Sequence, residues 1–477
     1  MRFPYIINQN TNIEYTPSPQ SLELLTEIGK KIISEDFHWN DEFCPTLVDF
    51  CVKAICGFFK DHPLLNQLPC QDRHHLLELL PTDLPLELVV PLIDDEIYWE
   101  RRYIDKYKMP LTRRKAHWIW KHSFIERYMQ EVIEGAEPQY HDEENMQDIT
   151  QLCAPFVKKL IITQLKAWKP PLTWEPEDIP EIWPIEHINF QHVISKLENI
   201  EELDIVFGMN NLSEEKFSWN LFKLSVEDAR NLGLSVLSLQ NIHTLRIHRS
   251  RIENFHAQAL MQCLLQNETL VELDLSHDHI GDHGAKCIAK LMTVHPKLNI
   301  LKLTNNFIGQ EGAEAIGFAL LQETCCPLVL LDMRLNPLKH DGAMGILRSL
   351  VRGEKPKELS LASCEIEDVT AMRVGQMMCL NHTLEFLDVS SNWLGDEGGE
   401  AILRCLMNNR TLKNIDLRET YIPKETLVLI QRLLKRNQLG LEEIDLYVTE
   451  EEEECEEEEE EEEEEEVAVE DEEDEED

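Results

Sequence analysis

The sequence predicts an α/β solenoid of stacked strand-helix units in its second half, with a helical domain before it and an acidic tail after it. Three observations predict this. One apolar phrase returns about every 28 residues, each copy reads as a strand followed by a helix, and a short polar slot recurs at one place in the copies. The central apolar residue of the phrase falls at Ile247, Leu275, Leu303, Met333, Leu361, Val389, Leu417 and Leu446, at intervals of 28, 28, 30, 28, 28, 28 and 29. A fixed period of that length marks a repeat architecture, in which each unit buries its apolar face on its neighbours.

The clearest copies begin at Leu270 (LVELDLSHDHIG), Leu298 (LNILKLTNNFIG) and Leu384 (LEFLDVSSNWLG). Each reads LxxLxLxxNxI, then a glycine and a helical run such as AKCIAKLM, which is the pattern of a leucine-rich repeat. Leucines two apart share one face of a strand because side chains alternate, so they point into the solenoid and their neighbours point out to its concave face. The polar slot holds Asp278, Asn306, Asn336, Cys364, Asn392 and Thr420, short groups able to hydrogen-bond the backbone where the strand turns away.

Ahead of the repeats, residues 1–20 are polar and proline-containing, and expected to be poorly ordered. Residues 21–135 read as a helical domain. Thr46 to Phe59 puts Leu47, Phe50, Cys51, Ala54, Ile55 and Phe58 on one stripe, with Pro45 at the helix start. Trp99, Tyr103 and Tyr107 recur at helical spacing, as do Trp120, Phe124 and Tyr128. An acidic, turn-rich linker spans 136–150. Residues 151–240 form an N-terminal cap of the repeats, with strands in VKKLIITQL and LENIEELDI. The wide gaps around them hold a Pro/Trp-rich insertion and a second one containing FSWNLF. The repeats proper run over 241–448, closing with LEEIDL at Leu441 to Leu446, and 449–477 form a polyglutamate tail expected to be disordered.

The formal charge is −45, and 24 of the Asp and Glu residues lie in 450–477, so the body is acidic even without its tail. That balance opposes nucleic-acid binding, which gains from neutralising phosphates. No apolar run approaches the roughly 18 residues of a spanning helix, and the N-terminus does not read as a secretory signal. Thirteen scattered cysteines, several in repeat helices, fit a reducing intracellular compartment.

Chemistry is sparse. HExxH, GxxxxGK[ST] and paired CxxC patterns do not occur, so no metal, cofactor or catalytic constellation is expected. Cys70 with His74 and His75 fits packing better than a metal site. Binding is the expected activity. Strands lie about 4.8 Å apart, so seven steps give a floor on the order of 34 Å long, enough for a protein surface or a helix. The partner-binding candidates on that floor are Arg246, His248, Asp274, Lys302, Asp332, Arg334, Asp388, Asp416 and Arg418. Mixed Asp and Arg suit ion pairing across an interface, although alternating charge also keeps an exposed sheet soluble. A second candidate is the basic, aromatic-rich stretch between Trp99 and Arg127, with Arg101, Arg102, Arg113, Arg114 and Lys115, which could dock an acidic partner or serve as a solvated helix face.

The consensus LxxLxLxxNxIGxxGAxxL resembles the ribonuclease-inhibitor class of leucine-rich repeat. Outside the repeats, PTDLPLELVVPLIDDEIYW (Pro81 to Trp99), WKHSFIERYMQEVI (Trp120 to Ile133), LCAPFVKKLIITQL (Leu152 to Leu165) and FSWNLF (Phe217 to Phe222) resemble, in the same order, segments of the dynein regulatory complex subunit 5 family. This is the t-complex-associated testis-expressed protein 1 family, and the resemblance covers roughly residues 30 to 445. It implies a non-catalytic scaffold of the nexin link in the ciliary or flagellar axoneme, without a cofactor, helping to control dynein-driven bending. The implied partners are other subunits of the regulatory complex, with doublet microtubules or dynein arms reached through it. The polyglutamate tail departs from the family pattern. Two other readings stay open: an F-box-like ubiquitin-ligase adaptor, from DLPLELVVPLI followed by Trp99, and a GTPase activator resembling the Ran activator, from the repeats and the acidic tail.

Overall fold

The computed structural model describes residues 46–108, 119–170, 186–209 and 223–441. The chain divides into two compact units, Met1–Met109 and Pro110–Asp477. The expected disorder of residues 1–20 and of the tail lies outside the described residues. So do FSWNLF, most of the Pro/Trp-rich insertion, and the expected last strand beyond Leu441.

In the first unit the described helices are α1 (Leu47–Phe58), α2 (Cys70–Leu79), α3 (Leu86–Leu92) and α4 (Glu96–Tyr107). Thr46 and Asp49 form a reciprocal capping box that starts α1, and Asp95 caps α4 by accepting the Tyr98 amide at 3.1 Å. The sequence stripe of α1 is turned out: Leu47 is 79% exposed, Phe50 53% and Phe58 60%, while Val52 and Phe59 are buried. Periodicity finds an apolar stripe without saying which side of a helix its neighbour occupies. Tyr98 and Trp99 fill the centre of the unit, and the Trp99 indole donates to the Ile93 carbonyl at 2.9 Å.

The second unit opens with α5 (Trp120–Gly135), α6 (Asp142–Asn145) and α7 (Gln147–Cys153). Helix α5, expected with the preceding domain, packs against the first strand of the repeats instead. Its Glu126 accepts the amides of Lys158 and Lys159 at 3.0 and 2.8 Å, and its Glu134 accepts the Thr163 amide at 2.8 Å. Two carboxylates thus satisfy strand amides that would otherwise lack partners.

Among the described residues nine strands follow: β1 (Lys159–Ile162), β2 (Glu202–Ile205), β3 (Thr244–Ile247), β4 (Glu272–Asp274), β5 (Ile300–Lys302), β6 (Leu330–Asp332), β7 (Glu358–Ser360), β8 (Phe386–Asp388) and β9 (Asn414–Asp416). They form one parallel sheet in chain order. Helix α8 (Phe190–Val193) lies between β1 and β2, and α9 (Val226–Ser238) between β2 and β3. The later units carry α10 (Asn254–Leu264), α11 (Asp282–Val294), α12 (Gln310–Leu320), α13 (Lys339–Arg352), α14 (Asp368–Leu380), α15 (Gly395–Leu406) and α16 (Lys424–Leu439). The leucine-rich solenoid with a helical region before it is therefore present as expected.

Register holds across both long insertions: Leu160 pairs with Leu203, Leu203 with Leu245, and the row continues through Leu273, Leu301, Leu331, Leu359 and Leu387 to Ile415. Every member of that row is buried. A one-residue slip would turn the row out to solvent, so the leucine pattern fixes pairing even where the connection is long. Between the two long connections, buried His187, which follows the first insertion, meets buried Asp228 of the second at 3.0 Å and ties the segment before α8 to α9.

The polar slot closes each turn. Asn306 accepts the Ile280 amide at 3.0 Å and donates to the carbonyls of Leu275 and Leu303 at 2.8 and 3.1 Å. Asn336 and Asn392 repeat this one and three units later. Cys364 takes the place of an asparagine with a buried thiol, which donates to the Met333 and Ala362 carbonyls at 3.3 and 3.4 Å. Burial pushes that thiol up to about 12. The residue before the slot is left-handed in seven successive turns, Arg249, His277, Asn305, Leu335, Ser363, Ser391 and Glu419, with φ between 50° and 62°. A side chain is rarely tolerated there, and the ladder of hydrogen bonds holds it.

Candidate protein-docking face

The strands expose one face of the sheet, and register sorts its side chains into three columns. The column at the middle strand position holds Asp204, Arg246, Asp274, Lys302, Asp332, Ser360, Asp388 and Asp416. Two residues on stand His248, Ser276, Thr304, Arg334, Ala362, Ser390 and Arg418. Two residues before the middle column stand Glu202, Thr244, Glu272, Ile300, Leu330, Glu358, Phe386 and Asn414. Sequence reading passed over this last column, although the period-two alternation that exposed the other two also exposes it.

The missing column holds the hub of the charged face. Arg246 donates to both oxygens of Glu272 at 3.2 and 3.1 Å, and Lys302 reaches the same carboxylate at 2.8 Å. Burial raises the Glu272 carboxyl, but its two cations outweigh that and hold it below the usual carboxylate range. Beside it His248 lies between Asp204 and Asp274, at 3.9 and 3.8 Å. Burial pushes Asp204 up, with the His248 and Arg246 charges opposing it. Farther along, Glu385 joins Lys357 and Lys413 at 2.9 and 2.8 Å, and the pair hold its carboxyl at about 2.

The two arginines expected to fork toward a partner already hold carboxylates of their own chain. Arg334 donates to Asp332 through Nε at 3.0 Å and through Nη2 at 2.7 Å. Arg418 grips Asp416 in the same way, at 3.0 and 2.6 Å. Asp388 accepts the hydroxyls of Ser360 and Ser390, each at 2.7 Å. The face is a pre-paired polar surface: the aspartates lie low, and Arg334 and Arg418 stand above them with side chains 48% and 83% exposed. Guanidinium groups held this way keep their outer edges and faces for a partner and lose little freedom on docking. Between the charges, Ile300, Leu330 and Phe386 stay half-buried and supply apolar contact.

The basic candidate in the first unit behaves differently from expectation. Arg102 is buried and donates to the Tyr98 hydroxyl at 3.0 Å and the Leu84 carbonyl at 2.7 Å. Arg101 donates to the carbonyls of Leu77 and Leu80, at 2.8 and 3.1 Å. Both arginines satisfy carbonyls at the ends of neighbouring segments, which is a structural use of the guanidinium. Arg113, Arg114 and Lys115 lie outside the described residues. His75 pairs with Asp49 at 3.1 Å, and the described residues hold no group of three or more potential metal ligands. No described helix is long and apolar enough to cross a membrane.

Comparison with known proteins agrees with the repeat fold. A leucine-rich repeat family model matches residues 266–289, 294–317 and 380–403. Dynein regulatory complex subunit 5 of Mus musculus is 30% identical over 59% of this chain and 59% of that protein. The protein of that name from Homo sapiens is 29% identical over 55% of this chain and 54% of its own length. The one from Chlamydomonas reinhardtii is 27% identical over 50% and 48%. The chain thus spans between 48% and 59% of the length of these curated relatives. The resemblance first carried by the segments outside the repeats holds.

Proposed function

We propose that this leucine-rich-repeat relative of dynein regulatory complex subunit 5 is a non-catalytic scaffold subunit of the nexin-dynein regulatory complex in motile cilia and flagella. One observation carries the reading: similarity to proteins of that single name in Mus musculus and in Chlamydomonas reinhardtii, extending over 59% and 50% of this chain and over 59% and 48% of theirs. The face is consistent with it. Its carboxylates are engaged in pairs that stiffen a surface, rather than gathered around a point where a substrate atom could react. A stiff sheet with paired charges and interspersed apolar residues suits a subunit that holds neighbours at fixed positions. In this reading Arg246, His248, Lys302, Arg334 and Arg418, with the aspartates beneath them, form the docking surface for another subunit, and doublet microtubules or dynein arms are reached through the assembled complex.

The test is isolation of axonemes from cells building motile cilia that carry the tagged full chain, followed by cross-linking. The expected result is retention in the axoneme and cross-links from the sheet face to other regulatory-complex subunits. A tagged chain that stays in the soluble fraction and is absent from axonemes overturns the assignment.

A further inference from the structure

The turns that follow the polar ladder carry large side chains that serve neither the core nor the sheet face. Directly after the slot, successive repeats present His279, Phe307, Pro337, Glu365, Trp393 and Tyr421 along one rim of the sheet. Phe307, Trp393 and Tyr421 are 59%, 62% and 66% exposed. Trp393 and Tyr421, one repeat apart, stack with ring centroids 4.5 Å apart and planes at 28°. Their turns are fastened together: the amides of Leu394 and Gly395 both donate to the Thr420 carbonyl, at 3.2 and 3.1 Å. Tyr421 sits at φ 63°, a conformation a bulky residue adopts only where its surroundings hold it. Burying these rings elsewhere would lower the free energy of an isolated chain, so a fixed, outward aromatic pair points to a binding partner.

The charge around the pair states the partner's chemistry. Glu365, Asp396, Glu397 and Glu419 stand exposed on the same turns and on the first turn of the helix that follows, and the bases nearby are Arg418, whose guanidinium is already held by Asp416, and Lys424 on the next helix start. We propose that the Trp393–Tyr421 pair is a docking site for an arginine-bearing basic segment of a partner protein. A guanidinium is planar and weakly hydrated, so it stacks on an indole face while its N–H groups meet the flanking carboxylates. A lysine ammonium is a strongly hydrated point charge and uses the ring less well. A second copy of this chain would bring like charge to the rim, given the net charge of −45.

The polyglutamate tail attracts any basic peptide, so the readout must be one that loss of the rings alone changes. A fluorescein-labelled peptide of four arginines separated by glycines, and its lysine counterpart, are titrated by anisotropy with the full chain at about 0.15 M salt. In W393A/Y421A, checked for folding by circular dichroism, arginine-peptide affinity falls at least about fivefold while lysine-peptide affinity changes less than about twofold. Unchanged arginine-peptide affinity in the folded variant overturns the proposal, because the tail then accounts for the binding. So does sedimentation showing that the substitution dissolves a dimer while peptide binding persists. Should the ring variant fold poorly, E365Q/D396N/E397Q/E419Q carries the test: it weakens the arginine peptide if the rim is the site, and equal affinity removes the rim from consideration.

Discussion

Asp278 Oδ1 accepts the Ser250 amide at 2.7 Å, while its other carboxyl oxygen, Oδ2, is buried without a partner. The place is the polar slot of the ladder, where asparagine in the next units turns an NH2 toward backbone carbonyls. An ionised carboxylate offers acceptors on both sides, so at this position it faces acceptors with an acceptor. Protonation resolves the conflict, since a neutral carboxyl donates through one oxygen as the amide does.

Asp278 therefore ties stability to pH. Burial raises its pKa well above the ordinary value, with the Ser250 and Ile252 amides opposing. Because the folded value lies above the unfolded one, its contribution is fully present below about pH 4 and is lost as pH rises through the folded value. Asp278→Asn restores the ladder without a charge, and should stabilise the repeats by about 1–3 kcal/mol at pH 7. Thermal melts of both proteins between pH 4 and 8 check this. The gain should shrink toward acid, and a difference that does not vary with pH contradicts the mechanism.

Asn336 tests the same slot in the opposite direction. It is 1% exposed, accepts the Ile308 amide at 3.1 Å, and donates to the carbonyls of Leu303 and Met333 at 2.8 and 2.9 Å. Asn336→Ala leaves these backbone groups buried and unpaired, and should cost about 2–4 kcal/mol in a urea titration. Asn336→Asp should cost least in acid and most at neutral pH, reproducing the behaviour of Asp278. A pH-independent loss would show that packing, not the NH2, is what the slot requires.

Much of this fold was legible because the repeat is written locally. Leu273 and Leu301 announce their strands by alternation, and the same pattern set the register of Leu160 and Leu203 through the long insertions. What stayed hidden depends on neighbours distant in sequence. Glu126 gives no sign that its carboxylate will hold the amides of Lys158 and Lys159, so α5 read as part of the preceding domain. Arg101 and Arg102 read as surface charge because nothing nearby reveals that the carbonyls of Leu77 and Leu84 need donors. Glu272 was available to the same alternation that selected Asp274, but its role appears only when Arg246 and Lys302 arrive from either side.

Helix spacing is set by close contact as well as by the leucines. A Cβ on Gly317 of α12 would come within 2.4 Å of the Gly345 carbonyl oxygen on α13. Backbone cannot swing aside as a flexible side chain can, so Gly317→Ala must push α12 and α13 apart. The expected cost is about 1–3 kcal/mol, read as a lower denaturation midpoint. Gly57 meets nothing within 4 Å and serves as the control, where alanine should be neutral or slightly stabilising.

The proposed docking face is best probed at Arg334 and Arg418 together. Each grips an aspartate two residues before it, at 2.7 and 2.6 Å, yet both remain well exposed to solvent, which screens the pairs so that they add little to folding. Reversing the charge would set a new carboxylate against Asp332 and Asp416 and confuse docking with stability. Glutamine keeps much of the length and hydrogen-bonding capacity while removing the cation. R334Q/R418Q should melt close to the wild type but bind the assembled regulatory complex about tenfold more weakly, equivalent to about 1.4 kcal/mol. Co-sedimentation with salt-extracted complexes measures the loss. Equal recovery of variant and wild type would move the interface off the sheet face, whereas a matching fall in thermal stability would mark these arginines as supports of the fold.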